Sequence, residues 1–132
     1  MINLASGNNV MTLYRRKSLA QITSGAVNTI PKVAYIALGT GGVDEGGQII
    51  TPSESQTELK AEAGRYPIDK VEYPVETTAR YTVTVPEGEM EGVAISEIGI
   101  IDEDGGLCSI RACSPKIKDA DEKFTFVFDD EF

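Results

Sequence analysis

The chain has 132 residues, of which 41% are hydrophobic and 25% are charged, and its formal net charge is −9. A chain of this length can bury one core, and this composition excludes wholesale disorder. No apolar run approaches the roughly 18 residues that a spanning helix needs, and residues 1–11 lack the charged-then-apolar order of a signal peptide. We therefore expect a single domain over residues 1–132 that does not insert into a membrane.

The charges are unevenly distributed along the chain. Residues 1–43 carry four basic and no acidic side chains, whereas residues 44–132 carry eight basic and twenty-one acidic ones. Two interpretations stay open: a solvated acidic surface, or a polarised subunit whose basic N-terminal patch meets an acidic patch on a neighbouring copy. Four basic residues in so acidic a chain would neutralise few phosphates, so nucleic acid is not an expected partner.

The N-terminal part predicts an arm followed by a helix. The first residues are mostly polar after Leu4, so we expect a flexible arm over residues 1–11. Thr12 can cap a helix over 13–23, which Ser24 and Gly25 would end. Three basic residues project away from the apolar stripe of this helix, and they form either a solvated face or an assembly interface for an acidic neighbour: Arg15, Arg16 and Lys17.

A buried strand and a glycine cluster follow. Residues 32–38 are β-rich and nearly continuously apolar, which favours a strand that is covered on both faces. The glycines of residues 39–42 end this strand. A phosphate-binding loop would continue with a lysine and a hydroxyl residue, but Asp44 and Glu45 stand close behind, so we interpret the glycines as a sharp backbone turn.

A second short helix is predicted after residue 52. Ser53 with Gln56, and Ser55 with Glu58, both have the capping-box spacing. Glu58 and Glu62 would lie on the outer face of this helix. The chain has no histidine and no companion ligand near them, so we interpret both as solvated rather than as acid–base or metal groups.

The second half predicts β-hairpins. Apolar residues alternate over 71–75 and again over 81–85, so one face of this pair of strands is apolar. Residues 93–101 are apolar on both faces and should lie centrally in a sheet. Asp104 and Gly105 suit a tight turn into a return strand over 107–113.

The last strand and the cysteines complete the expected fold. Three rings share one face of a final strand, and this ladder closes a core or contacts another copy: Phe124, Phe126 and Phe128. Residues 129–132 should be a frayed acidic tail.

Cys108 and Cys113 lie five residues apart on one strand, so they should point to opposite faces and stay reduced. The elements together predict an α+β, mainly β fold: an antiparallel sheet or sandwich of about six strands, with two helices in the N-terminal half.

We predict no catalytic, cofactor-binding or metal-binding residue. Asp102 and Asp104 resemble the start of a calcium loop, but Gly106 and Cys113 stand where further ligands are needed. A hydrolase that used this acidic pair would lack both a histidine and a recognisable nucleophile. A carbohydrate- or calcium-dependent adhesin remains the alternative, served by three tyrosines if they are exposed: Tyr66, Tyr73 and Tyr81.

Four spaced segments resemble the N-terminal domain of phage tail-collar fibre proteins. They are Ala-Leu-Gly-x-Gly at 37–41, Ser-Gln-Thr-x-Leu-x-x-Glu at 55–62, Arg-x-Pro-Ile at 65–68, and Glu-x-Gly-hydrophobic-hydrophobic-Asp-x-x-Gly at 97–105. The resemblance implies a non-enzymatic structural part of a phage or prophage tail, which attaches fibres to the collar or baseplate, or a part of a related phage-derived injection device. The expected partners are further copies of the chain and other tail or baseplate proteins.

The resemblance also sets expectations for role and location. No fibre shaft or receptor-binding tip follows the domain in this sequence, so we expect a small adaptor or baseplate subunit rather than a host-recognition fibre. Its expected location is the host cytoplasm during assembly and then the tail of the virion.

Overall fold

The computed structural model describes residues 2–4, as backbone, and residues 9–132. The described elements are β1 (Ile2–Leu4), β2 (Val10–Met11), α1 (Leu13–Thr23), β3 (Val33–Gly39), β4 (Glu62–Pro67), β5 (Lys70–Val75), β6 (Thr78–Val85), β7 (Ala94–Asp102), β8 (Leu107–Ile117) and β9 (Phe124–Glu131). The mainly β character with antiparallel pairing is therefore confirmed. The described residues form nine strands rather than about six, and one helix rather than two.

The strands form two sheets. Sheet I has the order β1-β9-β6-β5, and sheet II has the order β2-β8-β7-β3-β4. Neighbouring strands are antiparallel throughout the described residues, except that β1 runs parallel to β9. The edge strands are thus β1 and β5 in sheet I, and β2 and β4 in sheet II.

The main core lies between the two sheets. Sheet II contributes Ile36, Leu38, Ile98 and Ile100, and sheet I contributes Val83, Val85, Phe126 and Phe128. A second cluster covers the other face of sheet II and consists of Ala37, Leu59, Ile101, Leu107 and Ile110. These two clusters explain why β3 and β7 are apolar on both faces, as the sequence predicts. Two rings of the phenylalanine ladder are fully buried, so the ladder closes the core.

The predicted second helix is wrong. The amide of Ser53 does donate to Oε1 of Gln56 at 2.9 Å, so half of the capping box forms. The following residues make turns instead, and from Glu62 the chain pairs with β3. A helix nucleus has a high free-energy cost unless propagation or packing offsets it, and here burial of Leu59 in the second cluster favours the non-helical path.

The acidic tail is also different from the prediction. Asp129 and Asp130 are buried inside β9 and each pairs with an arginine, so residues 129–131 do not fray. The flexible arm predicted for residues 1–11 includes Met1 and residues 5–8, which lie outside the described residues. Within that range, residues 2–4 and 10–11 are strands.

The two cysteines lie on one face of β8, which contradicts the expected opposite orientation. Cys108 and Cys113 are both free and both belong to the main core cluster. Their strand has register shifts against β7 between Ile100 and Ile101 and between Ile95 and Glu97. Such a β-bulge interrupts the alternation of side chains, so spacing alone gives the wrong face.

Helix α1 begins and ends where the sequence predicts. The amide of Arg15 donates to the hydroxyl of Thr12 at 3.3 Å, and that hydroxyl donates to the carbonyl of Leu107 at 2.6 Å. Gly25 has φ +84°, which is the conformation that favours glycine after a helix. None of the helical residues is buried, so α1 lies on the surface and is held mainly at its N terminus. No helix in the described ranges is long and apolar enough to cross a membrane.

Replacing the cap residue should loosen the helix. Thr12→Ala removes both the acceptor for the helix amide and the bond to β8, so the free energy of unfolding should fall by about 1–2 kcal/mol. Thr12→Ser keeps the hydroxyl and should lose less. Urea unfolding of the two variants measures this, and equal losses would contradict a role for the hydroxyl.

Candidate functional site

Glu97, on β7, carries a buried carboxylate that binds backbone amides from two loops. Its Oε2 accepts from the amides of Gly41 at 2.7 Å and Ala61 at 2.8 Å. Its Oε1 accepts from the amide of Lys60 at 2.9 Å. A carboxylate that is only 2% exposed must be hydrogen-bonded, and here three amides satisfy it. We call Glu97 and these three amides the glutamate clamp.

The glycine cluster after β3 is explained by this clamp. A Cβ atom at Gly41 would lie 2.6 Å from Oε2 of Glu97, and one at Gly42 would collide with the carbonyl oxygen of Ser96. The amide of Gly42 also donates to Oγ of Ser96 at 2.9 Å. Neither glycine has a positive φ. The two glycines are therefore required by close approach to β7 rather than by a special turn conformation.

The space beside the clamp is too small for a ligand. A cavity of about 10 Å³ lies next to Gly41, Lys60 and Glu97, which is room for about one water molecule. Among residues 9–132, no three cysteine, aspartate or glutamate side chains stand close enough to hold a metal ion.

The acidic pair considered for hydrolysis or calcium binding supports a turn. Oδ1 of Asp102 accepts from the amides of Asp104 at 3.0 Å and Gly106 at 2.9 Å. Its Oδ2 accepts from the hydroxyl of Tyr14 at 2.7 Å. This hydrogen bond is the largest cause that raises the pKa of Tyr14 to about 12, and burial is the second. Asp102 therefore holds the β7–β8 hairpin and ties it to helix α1.

The three tyrosines considered for an adhesin are used differently. The hydroxyl of Tyr66 donates to Glu89 at 2.9 Å, and Tyr81 packs on the main core. Burial is the main cause that raises the pKa of both hydroxyls to about 12. Tyr73 is exposed. Of these three tyrosines, Tyr73 is therefore the one whose ring is available for stacking on a ligand.

The basic residues of α1 are only partly available to a neighbour. Nη1 of Arg15 lies 2.8 Å from Oδ2 of Asp130, and its guanidinium lies 4.9 Å from the ring centroid of Phe132. Arg15 is therefore committed inside the molecule. Arg16 reaches Glu54 at 3.1 Å in an exposed pair, and Lys17 is exposed with no ion pair among residues 9–132.

Three exposed apolar side chains lie on the edge strand β5. Val71, Tyr73 and Val75 are 45%, 70% and 57% exposed. The alternation predicted over residues 71–75 is interrupted by a register shift against β6, so Val71 lies opposite Tyr81 and Val75 lies opposite Thr78, on the other face. The edge of sheet I is therefore one of the places where apolar side chains reach solvent.

The family model of the phage tail-collar fibre protein, N-terminal, matches residues 8–126. The chain belongs to this family. Comparison with the curated proteins gives no match. Membership identifies the chain as a β-rich structural protein of a phage tail, and its location is the tail of the virion.

Three of the four segments that carry the tail-collar fibre resemblance meet at the glutamate clamp. Gly41 ends the first segment, Lys60 and Ala61 belong to the second, and Glu97 opens the last. Sequence reasoning did not assign this role to Glu97. The sequence did contain a signal for this role, since Glu97 lies within an apolar run. A carboxylate there would be buried and would need hydrogen-bond partners.

Removing the clamp should destabilise both loops. Glu97→Ala leaves three amides without an acceptor, so we expect a loss of at least about 3 kcal/mol in the free energy of unfolding, at roughly 1–3 kcal/mol per abandoned donor. Amide hydrogen exchange should accelerate at Gly41, Lys60 and Ala61. Glu58→Ala, at an exposed glutamate, is the control and should change stability by less than about 0.5 kcal/mol. Equal effects of the two variants would contradict the clamp.

The bond from Tyr14 to Asp102 should give a pH-dependent contribution at high pH. The folded-state pKa is raised from 10.0 to about 12, so the folded phenol keeps its proton where the unfolded phenol ionises. The stability difference between wild type and Tyr14→Phe should be constant below pH 10 and disappear as the pH rises through about 12. Urea unfolding across this range measures it, and a difference that persists unchanged above pH 12 would contradict the assignment.

Proposed function

We propose that the chain is a non-enzymatic attachment or adaptor subunit at the collar or baseplate of a phage or prophage tail. It acts by associating with further copies and by docking to neighbouring tail proteins. The observation that supports this most is the family match, which extends from Asn8, ahead of β2, to Phe126 in β9 and so includes the whole of sheet II.

The internal use of the acids supports a structural role. Glu97 binds backbone amides, Asp102 holds a hairpin, and Asp129 forms a two-point ion pair with Arg80 at 2.8 and 3.0 Å. Each of these carboxylates has partners that stabilise the fold. An acid–base catalyst would instead need a carboxylate directed at a substrate.

The start of α1 supports docking to a neighbour. Arg16 and Lys17 reach solvent on a helix with no buried residue, while residues 44–132 carry all twenty-one acidic side chains. A basic patch on one subunit and an acidic patch on the next are the components of a head-to-tail contact. We propose that this contact forms in the host cytoplasm, before the tail is complete.

Reconstitution with the tail proteins encoded beside this chain tests the proposal. The chain should bind at least one of them, and added salt should weaken the complex. Lys17→Glu should reduce the affinity by about fivefold or more, because it replaces attraction by repulsion at an exposed contact.

The matched control is Lys123→Glu, which makes the same charge change at another exposed lysine. It should leave the affinity within about twofold, the scatter expected at a site away from the contact. Absence of the chain from purified tails would contradict the proposed function. Equal effects of the two variants would contradict the docking role of α1.

A further inference from the structure

Strand β5 ends sheet I, and among the residues that the structure describes it pairs on one side only, with β6. All six of its residues are exposed. A free strand edge presents unpaired amides and carbonyls, which can pair with another chain. The register shift after Glu72 and the proline at position 74 interrupt the strand, so the regular part of this edge is residues 70–72.

The exposed side chains of β5 make this edge suited to a partner. Val71 lies opposite Tyr81, whose ring packs on the main core, so Val71 continues the apolar surface of that core outwards. On the other face of the strand, Nζ of Lys70 lies 3.5 Å from Oε1 of Glu72, and both side chains are exposed. A partner strand would lie beside Val71 on one face of the sheet and beside one charge of each sign on the other.

We propose that β5 pairs antiparallel with β5 of a second copy, about a two-fold axis at Val71. The partner follows from the order of the charges. With Val71 opposite its own equivalent, Lys70 lies opposite Glu72 of the second copy and Glu72 lies opposite its Lys70. Directly opposed side chains have Cβ atoms about 4.5–5.5 Å apart, so two ion pairs form across the axis.

The neighbouring symmetric registers are disfavoured. In an antiparallel pair, opposed residues share a face, so the next possible axes lie at Lys70 and at Glu72. The first opposes two lysines and the second opposes two glutamates, and directly opposed like charges are destabilising. The sequence Lys-Val-Glu at 70–72 is thus self-complementary in a single one of these three registers.

This inference specifies the self-association that the proposed function includes, and it rests on that function. A two-fold pairing through β5 would join sheet I of two copies into one eight-stranded sheet. Helix α1 is a separate surface with separate charges. The contact to other tail proteins and the contact between copies can therefore be tested independently.

Charge reversal tests the pairing. Lys70→Glu opposes like charges at both symmetric positions, so the dimer dissociation constant, measured by sedimentation equilibrium, should rise at least about tenfold. The double variant Lys70→Glu with Glu72→Lys restores opposite charges across the axis and should recover wild-type association. Both side chains are exposed, and circular dichroism and melting temperature check that each variant is folded.

Cysteine cross-linking tests the register. Val71→Cys places two thiols at the axis, where opposed Cα atoms lie about 4.5–5.5 Å apart, within the range of a disulfide. Mild oxidation should give a covalent dimer. Val75→Cys is the matched control on the same strand. It places the thiols roughly 26 Å apart, at 3.3 Å per residue, and should not cross-link.

The native cysteines should not interfere with the cross-linking. Burial is the main cause that raises the pKa of both Cys108 and Cys113, so little reactive thiolate is present.

Three results together would support the pairing: the dimer dissociates in Lys70→Glu, it recovers in the double variant, and it cross-links at Val71→Cys but not at Val75→Cys. A chain that is monomeric at every concentration would overturn both this pairing and the proposed self-association. An oligomer that Lys70→Glu leaves intact, or that cross-links equally at position 75, would overturn the β5 pairing and leave the proposed self-association standing. A monomer that binds another tail protein through Val71 would show that the edge takes a different strand.

Discussion

The carboxylate of Glu97 is the constraint on which much of this fold depends. A buried charge is costly unless hydrogen bonds replace its water, and the three amides that do so come from two loops far from β7 in sequence. Those loops must therefore approach β7 closely, and glycine at positions 41 and 42 gives the required room. This one side chain thus ties the segment between β3 and β4 to β7.

The same interaction gives a physical meaning to the family pattern. The family model matches residues 8–126. Within that range, the resemblance read from the sequence rests on four short segments, and three of them contribute to the glutamate clamp. Other charges are used inside the protein in a similar way. Arg15 and Arg80 pair with the two buried aspartates of β9, and the Arg15–Asp130 pair joins the basic N-terminal part to the acidic C-terminal part within one subunit.

Local patterns predicted the elements that local interactions determine. The cap at Thr12 and the stop at Gly25 gave the bounds of α1, and the double-sided apolar runs gave the central positions of β3 and β7. The hairpin at Asp104 and Gly105 was also predicted, because its turn depends on neighbouring residues alone. The amide of Gly105 donates to the carbonyl of Asp102 at 3.0 Å, and its φ is +86°.

The failures depend on distant contacts. The capping signal at Ser53 was real, but Leu59 packs into the second cluster and the chain leaves the helical path. The bulge beside Cys108 follows from pairing with β7, and alternation within one strand cannot reveal it. Glu97 binds backbone amides, which leave no side-chain pattern to recognise. Alternation likewise placed Val71 and Val75 on one face of β5, but a register shift against β6 puts them on opposite faces.

The central claim is that this chain contributes a fixed shape to an assembled tail, with its loops held by the glutamate clamp. Electron cryomicroscopy of purified tails that contain the chain tests this most directly. The account predicts the two-sheet fold within the particle, in contact with other tail proteins. Residues 40–61 should follow the path seen here, and Glu97 should face the amides of both loops. A chain that is absent from the particle, or loops that follow a different path once assembled, would contradict it.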